Sequence, residues 1–173
     1  MKFCGILALV GLVLAGCGKP DAASPPVLFS DASPALPTKA QPKLRTLKLW
    51  IGPEEITAEL ALTAIQVQTG MMFRTNIPEN AGMLFVLPYP QRAGFWMKNC
   101  PESLSAAYIG RDGVIQEIHH LEKNDTNSVV ASSDNISFVL EMKEGWFERH
   151  HIKTGVVVRT ELGSLAETFS RRR

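Results

Sequence analysis

The chain has 173 residues, of which 45% are hydrophobic and 20% charged, and a formal net charge of +1. That length holds one domain of ordinary size and leaves two cramped, and the mixture is globular rather than disordered. Lys2 supplies the surplus charge, so a chain without its leader is balanced and has no global field to draw nucleic acid to its surface.

The N-terminus opens with Lys2, an apolar run over residues 3–15, and Leu14-Ala15-Gly16-Cys17. About 13 residues at ~1.5 Å rise reach only ~20 Å of the ~30 Å hydrocarbon core, so the run is too short for a permanent span. Small residues leading into a cysteine are the layout of a bacterial lipoprotein signal. Residues 1–16 are therefore expected to be removed and Cys17 to carry lipid. The partner implied is a membrane reached through acyl chains, and two or more chains anchor stably where one is marginal. Gly18 follows Cys17, where an aspartate would favour inner-membrane retention. The expected location is the extracytoplasmic face of the cell envelope, at the outer membrane if the organism has one. Cys4 leaves with the leader, and Cys100 alone remains in the body. No internal disulfide can form, and Cys100 reads as a buried small hydrophobe.

Residues 17–43 hold six of the eleven prolines, at 20, 25, 26, 34, 37 and 42. Proline fixes φ and removes donors, so this stretch reads as an extended tether. The folded body is expected over residues 44–163 and a basic tail over 164–173. Leu47, Leu49 and Ile51 alternate with polar neighbours, which predicts a half-buried strand ended by Gly52-Pro53. A second strand follows over 56–62. Thr63-Ala64-Ile65-Gln66 has the form of a capping box and Gly70 stands where a helix would stop, which predicts a helix over 64–69. Strands are predicted over 83–87, 95–97 and 104–109. Asp112-Gly113 marks a hairpin into 114–119. Further strands are predicted over 136–142, with Phe138 and Leu140 on one face, and over 156–158, with a helical turn at 145–150 between them. The fold class is α+β and β-rich: a compact curved sheet or small barrel with two short helices.

Several of these segments, in this order, resemble the domain-of-unknown-function family 192. They are Gly70-Met71-Met72-Phe73-Arg74, Gly82-Met83-Leu84-Phe85-Val86, Phe95-Trp96-Met97-Lys98-Asn99, Asp112-Gly113-Val114-Ile115 and Phe138-Val139-Leu140-Glu141, with Gly145 and the turn ending at Gly155. The resemblance covers residues 46–161. It implies a compact β-rich fold and no settled activity. The chain departs from the family pattern at Cys100, where threonine is usual, and at Ser105 and Val156, where aspartates are usual.

The resemblance singles out Arg74, Lys98 and Asn99. They either floor an anion pocket, with Arg74 offering a two-pronged fork, or serve the fold, with Arg74 paired to Glu141 and Asn99 satisfying a turn. Trp96 could stack on a sugar ring or clamp a peptide. The tentative ligand-binding set is thus Arg74, Trp96, Lys98, Asn99 and Glu141. His119 and His120 point to opposite faces of a strand and cannot share an ion, so no metal site is assigned. No catalytic nucleophile and no cofactor are assigned. The reading is a lipid-anchored envelope domain that binds an unidentified ligand or protein partner. The alternative is an enzyme that orients a small anionic substrate with Arg74, Lys98 and Asn99.

Overall fold

The computed structural model describes residues 36–170. The leader, Cys17, most of the tether and Arg171-Arg172-Arg173 lie outside the described residues. The alternating run forms strand β1 (Thr46–Ile51), which turns through Gly52-Pro53 into β2 (Glu54–Ala61) with Ile51 opposite Glu54. Helix α1 (Ala64–Thr69) carries the expected capping box: Gln66 N–H donates to the Thr63 hydroxyl at 3.3 Å, and Thr63 N–H donates to the Gln66 side chain at 3.1 Å. Gly70 ends it at a φ of 47°. Strand β3 (Ala81–Gln91) then lies parallel to β2, and the crossover that a parallel pair requires is α1 and the loop behind it.

The remaining elements are β4 (Gly94–Phe95), β5 (Leu104–Gly110), β6 (Ile115–Leu121), β7 (Val129–Val130), β8 (Ile136–Lys143), α2 (Trp146–Arg149), β9 (Val158–Thr160), β10 (Gly163–Ser164) and α3 (Leu165–Ser170). Eight strands make one mixed sheet in the order β10-β9-β1-β2-β3-β8-β5-β6, and β4 pairs with β7 apart from it. The sheet curls until its far strands meet at one corner. Val114 bridges Val157, and Val158 N–H donates to the Gly113 carbonyl at 2.8 Å. Gly113 is needed there twice over, because its φ is +84° and a Cβ would crowd the Val158 carbonyl.

The sheet has two apolar faces. Leu49, Ile51, Leu60, Leu84, Leu140, Trp146, Phe147 and Val158 belong to one buried cluster. Met71, Met72, Met83, Phe85, Met97, Cys100 and Tyr108 belong to the other. Strands β3, β8 and β5 contribute to both clusters, which is why their sequences run apolar without alternation, whereas β1 buries one side. The β-rich α+β expectation therefore holds, with a curled half-barrel sheet and three short helices.

Four local expectations change. The strand expected over 95–97 stops at Phe95, because residues 97–100 fold into a turn closed by Cys100 N–H donating to the Met97 carbonyl at 3.0 Å. The strand expected over 156–158 begins at Val158, since Val156 and Val157 are spent on the corner contact with residues 114–115. Two helices become three, because the start of the supposed tail is structured: Ser164 ends β10, and α3 buries Leu165 completely while Phe169 packs on Phe138 at 5.7 Å. The body also begins before residue 44. The Gln41 amide donates to the carbonyls of Gln66 and Gly70 at 3.2 and 2.8 Å, which occupies carbonyls at the open end of α1.

Candidate functional site

The Met-rich face is covered by loops rather than by long elements. Gly70 turns the chain out of α1 into Met71 and Met72, and Phe73 N–H donates to the Asn99 carbonyl at 2.7 Å. That bond joins the loop after α1 to the turn at 97–100. Asn99 sits there at a φ of 60°, a left-handed conformation that asparagine adopts more readily than most residues. Behind them Phe95 meets Phe85 edge-on at 4.9 Å and Tyr108 at 6.0 Å. The Tyr108 hydroxyl donates to the Val129 carbonyl at 2.6 Å, tying β5 to β7.

Between these loops and the sheet lies a pocket of about 550 Å³. Met71, Phe85, Phe95, Trp96 and Cys100 supply its walls, and the Glu141 side chain of β8 lines it. Glu141 is 3% exposed and is in no hydrogen bond or ion pair with a described residue, while the sealed polar atoms without a partner among the described residues are Arg74 Nε and Ser137 Oγ. Burial away from water disfavours its charged form and pushes its carboxyl up to about 8. Gly82 on β3 lets the strands approach here, since a side chain at that position would overlap the Glu141 carbonyl and the Met142 thioether. Burial, and then the neighbouring Glu141 charge, push the Cys100 thiol up to about 12, so it is a neutral wall group and no nucleophile at ordinary pH. Burial likewise raises the Tyr108 phenol.

The five tentative ligand-binding residues do not come together. Trp96 and Glu141 line the pocket. Lys98 lies over the Trp96 ring, its ammonium 5.5 Å from the centroid. Asn99 works through its backbone. Arg74 is paired, but its partner is Glu59 and not Glu141: two guanidinium nitrogens reach the two Glu59 oxygens at 2.6 and 2.9 Å. The strand order explains the correction. Glu59 stands on β2, beneath the loop that carries Arg74, whereas Glu141 stands beyond β3 on β8. Glu59 also accepts from Leu44 N–H at 2.7 Å, so this pair fastens the chain entry. With its fork engaged and its pocket neighbours elsewhere, Arg74 does not share an anion site with Lys98 and Asn99.

The histidines each meet a carboxylate or lie exposed. His119 contacts Glu117 at 2.8 Å and Tyr108 by its ring; His120 contacts Glu122 at 3.1 Å; His150 stacks on Trp146 at 4.4 Å and contacts Glu54. Sequence reasoning singled out Glu141 as a partner of Arg74, which it is not. The signal for its isolation was its position inside an otherwise apolar run, Phe138 to Met142, on a strand buried on both sides.

The family model DUF192, described as an uncharacterised ACR, matches residues 48–160. A solved structure from Novosphingobium aromaticivorans, a protein of unknown function, is 28% identical with a TM-score of 0.64, covering 69% of this chain and 90% of its own. One from Sinorhizobium meliloti 1021, described as a candidate transcription regulator, is 23% identical with a TM-score of 0.66, covering 70% of this chain and 98% of its own. At that identity the second likeness shows the fold alone. No curated protein matches this chain.

Proposed function

We propose that this chain, which belongs to the DUF192 family, is a binding domain for a small, largely apolar molecule, held at the cell envelope by lipid on Cys17. The observation that carries the binding reading is Glu141: a buried acidic residue, 3% exposed, that lines an open pocket and has no hydrogen-bond or ion-pair partner among the described residues. A buried polar group without a partner costs stability, and such groups persist where a site uses them. The pocket supports the same reading. Its volume falls within the range of small-molecule sites, and its walls are chiefly apolar side chains around few polar groups. The enzyme alternative loses its basis, because Arg74 is occupied by Glu59 and a nucleophile is not supplied by the neutral Cys100 thiol.

Anchoring rests on the Leu-Ala-Gly-Cys leader, and a Pro-rich stretch between Cys17 and the body suits a tether. Two measurements test the proposal. A panel of amine, carboxylate and neutral apolar fragments should raise the melting temperature of the full-length chain. At a hundred times the dissociation constant the gain is about 2.7 kcal/mol. Trp96→Ala, at a half-buried wall position, should abolish the shift while leaving the fold intact. Absence of a shift with every fragment would remove the binding reading. Fractionation of Cys17→Ser should move the protein out of the membrane fraction, and a variant still lipidated and membrane-bound would remove the anchor.

A further inference from the structure

We propose that the pocket ligand is an organic cation: one ammonium nitrogen on an apolar body, with the nitrogen seated on Glu141 and the body against Phe85, Phe95 and Trp96. This deepens the binding reading and rests on it. Three classes of ligand can be weighed against the walls. An anion would meet a carboxyl and no counter-charge, since no lysine, arginine or histidine is among the described residues that line the pocket. A neutral apolar molecule would cover Glu141 and leave its hydrogen-bonding capacity unmet. A cation satisfies Glu141 by a charge-assisted hydrogen bond, and the Phe85 and Phe95 rings favour positive charge, whereas the Trp96 ring already carries the Lys98 ammonium at 5.5 Å and offers the ligand an apolar surface.

The proton balance follows from the surroundings of Glu141. Across the sheet its backbone neighbours are Met83 on β3 and Ala106 on β5, neither of which titrates. Cys100 and Tyr108 are the titratable groups whose protonation responds to it, and burial keeps both neutral through the physiological range. Tyr89 stands exposed at the pocket wall. Glu141 is thus the group that changes charge inside the pocket, and at pH 7 it is mostly protonated. When an ammonium ion enters, the carboxyl gives its proton to solvent and the carboxylate pairs with the cation. Affinity then rises about tenfold per pH unit between pH 6 and about 8 and levels off above, and binding at pH 7 releases about one proton.

Calorimetric titration of the full-length chain with benzylamine, benzyl alcohol and benzoate, in buffers of different ionisation enthalpy, tests this. Benzylamine should bind with the stated pH slope and proton release, and benzoate should not bind. Glu141→Gln, an uncharged isostere, should abolish the slope and the release and weaken benzylamine at least tenfold at pH 8, while benzyl alcohol binds the variant as well as the parent. Benzyl alcohol or benzoate binding as tightly as benzylamine at pH 8 would overturn the cation inference and leave the pocket reading standing. Failure of all three probes to bind would overturn both. Amine binding that survives Glu141→Gln unchanged would place the nitrogen elsewhere and overturn the inference alone.

Discussion

The two faces of the curled sheet are made from the same strands and are built differently. One is filled by branched and aromatic side chains, Leu49, Ile51, Leu60, Leu140, Trp146 and Phe147, and is closed by α2, α3 and the corner where β6 meets β9. The other sets Met71, Met72, Met83 and Met97 among residues such as Phe85, Leu104 and Tyr108, where the first face has Met142 alone, and it is roofed by loops and keeps a pocket lined by a buried acid. Branched side chains have few rotamers and interlock, whereas methionine is unbranched and adapts to irregular gaps. The contrast teaches that one face of a single sheet can be closed by helices while the other keeps a pocket under loops. Flexible thioethers suit a wall that must repack around what enters.

The largest effect expected of this division is on the closed face. Trp146→Ala should cost about 3–5 kcal/mol, read by denaturant unfolding, because the residue is buried, meets Phe147 edge-on and stacks on His150. A loss under ~1 kcal/mol would break the assignment of stability to that face. Next comes Glu141. Below about pH 4.5 its carboxyl is protonated whether the chain is folded or not, so its ionisation contributes nothing to the stability difference. As pH rises toward about 8 the unfolded chain sheds this proton and the folded one keeps it, so stability falls. Above that both forms are charged and the loss stays constant. Glu141→Gln should therefore melt higher than the parent at pH 8 by a few kcal/mol, on the order of 10 °C, with the gap closing at pH 4. Melting curves that run parallel across this range would mean that the acid is better solvated than its burial indicates. The smallest effect is expected at Met72→Leu, a swap of similar volume on the adaptable face, with a cost below ~1.5 kcal/mol in the same unfolding assay. A cost near that of Trp146→Ala would erase the distinction between the faces.

What the sequence made legible follows the range of the interactions. The capping box at Thr63, the alternation of β1, the hairpin signal at Asp112-Gly113 and the turn at Gly145 are set by residues within a few positions of one another, and all four appear in the structure. Asp112 contributes as expected of a turn residue, its carboxylate accepting from Val114 N–H at 3.0 Å. Less legible were features decided between distant segments. The pairing of Arg74 depends on β2 and β3 running parallel, which leaves Glu59 near and Glu141 a strand further away. The run from Phe95 to Met97 has strand composition, yet Asn99 and the contacts to residues 124–125 bend it into a turn. Helix α3 was hidden because Leu165 and Phe169 are too few to display a helical period, and their burial depends on Phe138 from a different strand. The candidate site shares this fate. Trp96 stood out by type and Glu141 as an acid to pair with Arg74, but only the fold shows that one lines a pocket with the other and that Lys98, Asn99 and Arg74 do not.

The grip of Gln41 on the carbonyls of Gln66 and Gly70 has a mechanical meaning. Among the described residues, that side chain ties the segment ahead of β1 to the body five residues before the strand begins. The two carbonyls end α1, and Gly70 is itself a pocket-wall residue. The chain entry and the pocket wall are thus coupled through a single turn of backbone, so that a displacement of one is transmitted to the other.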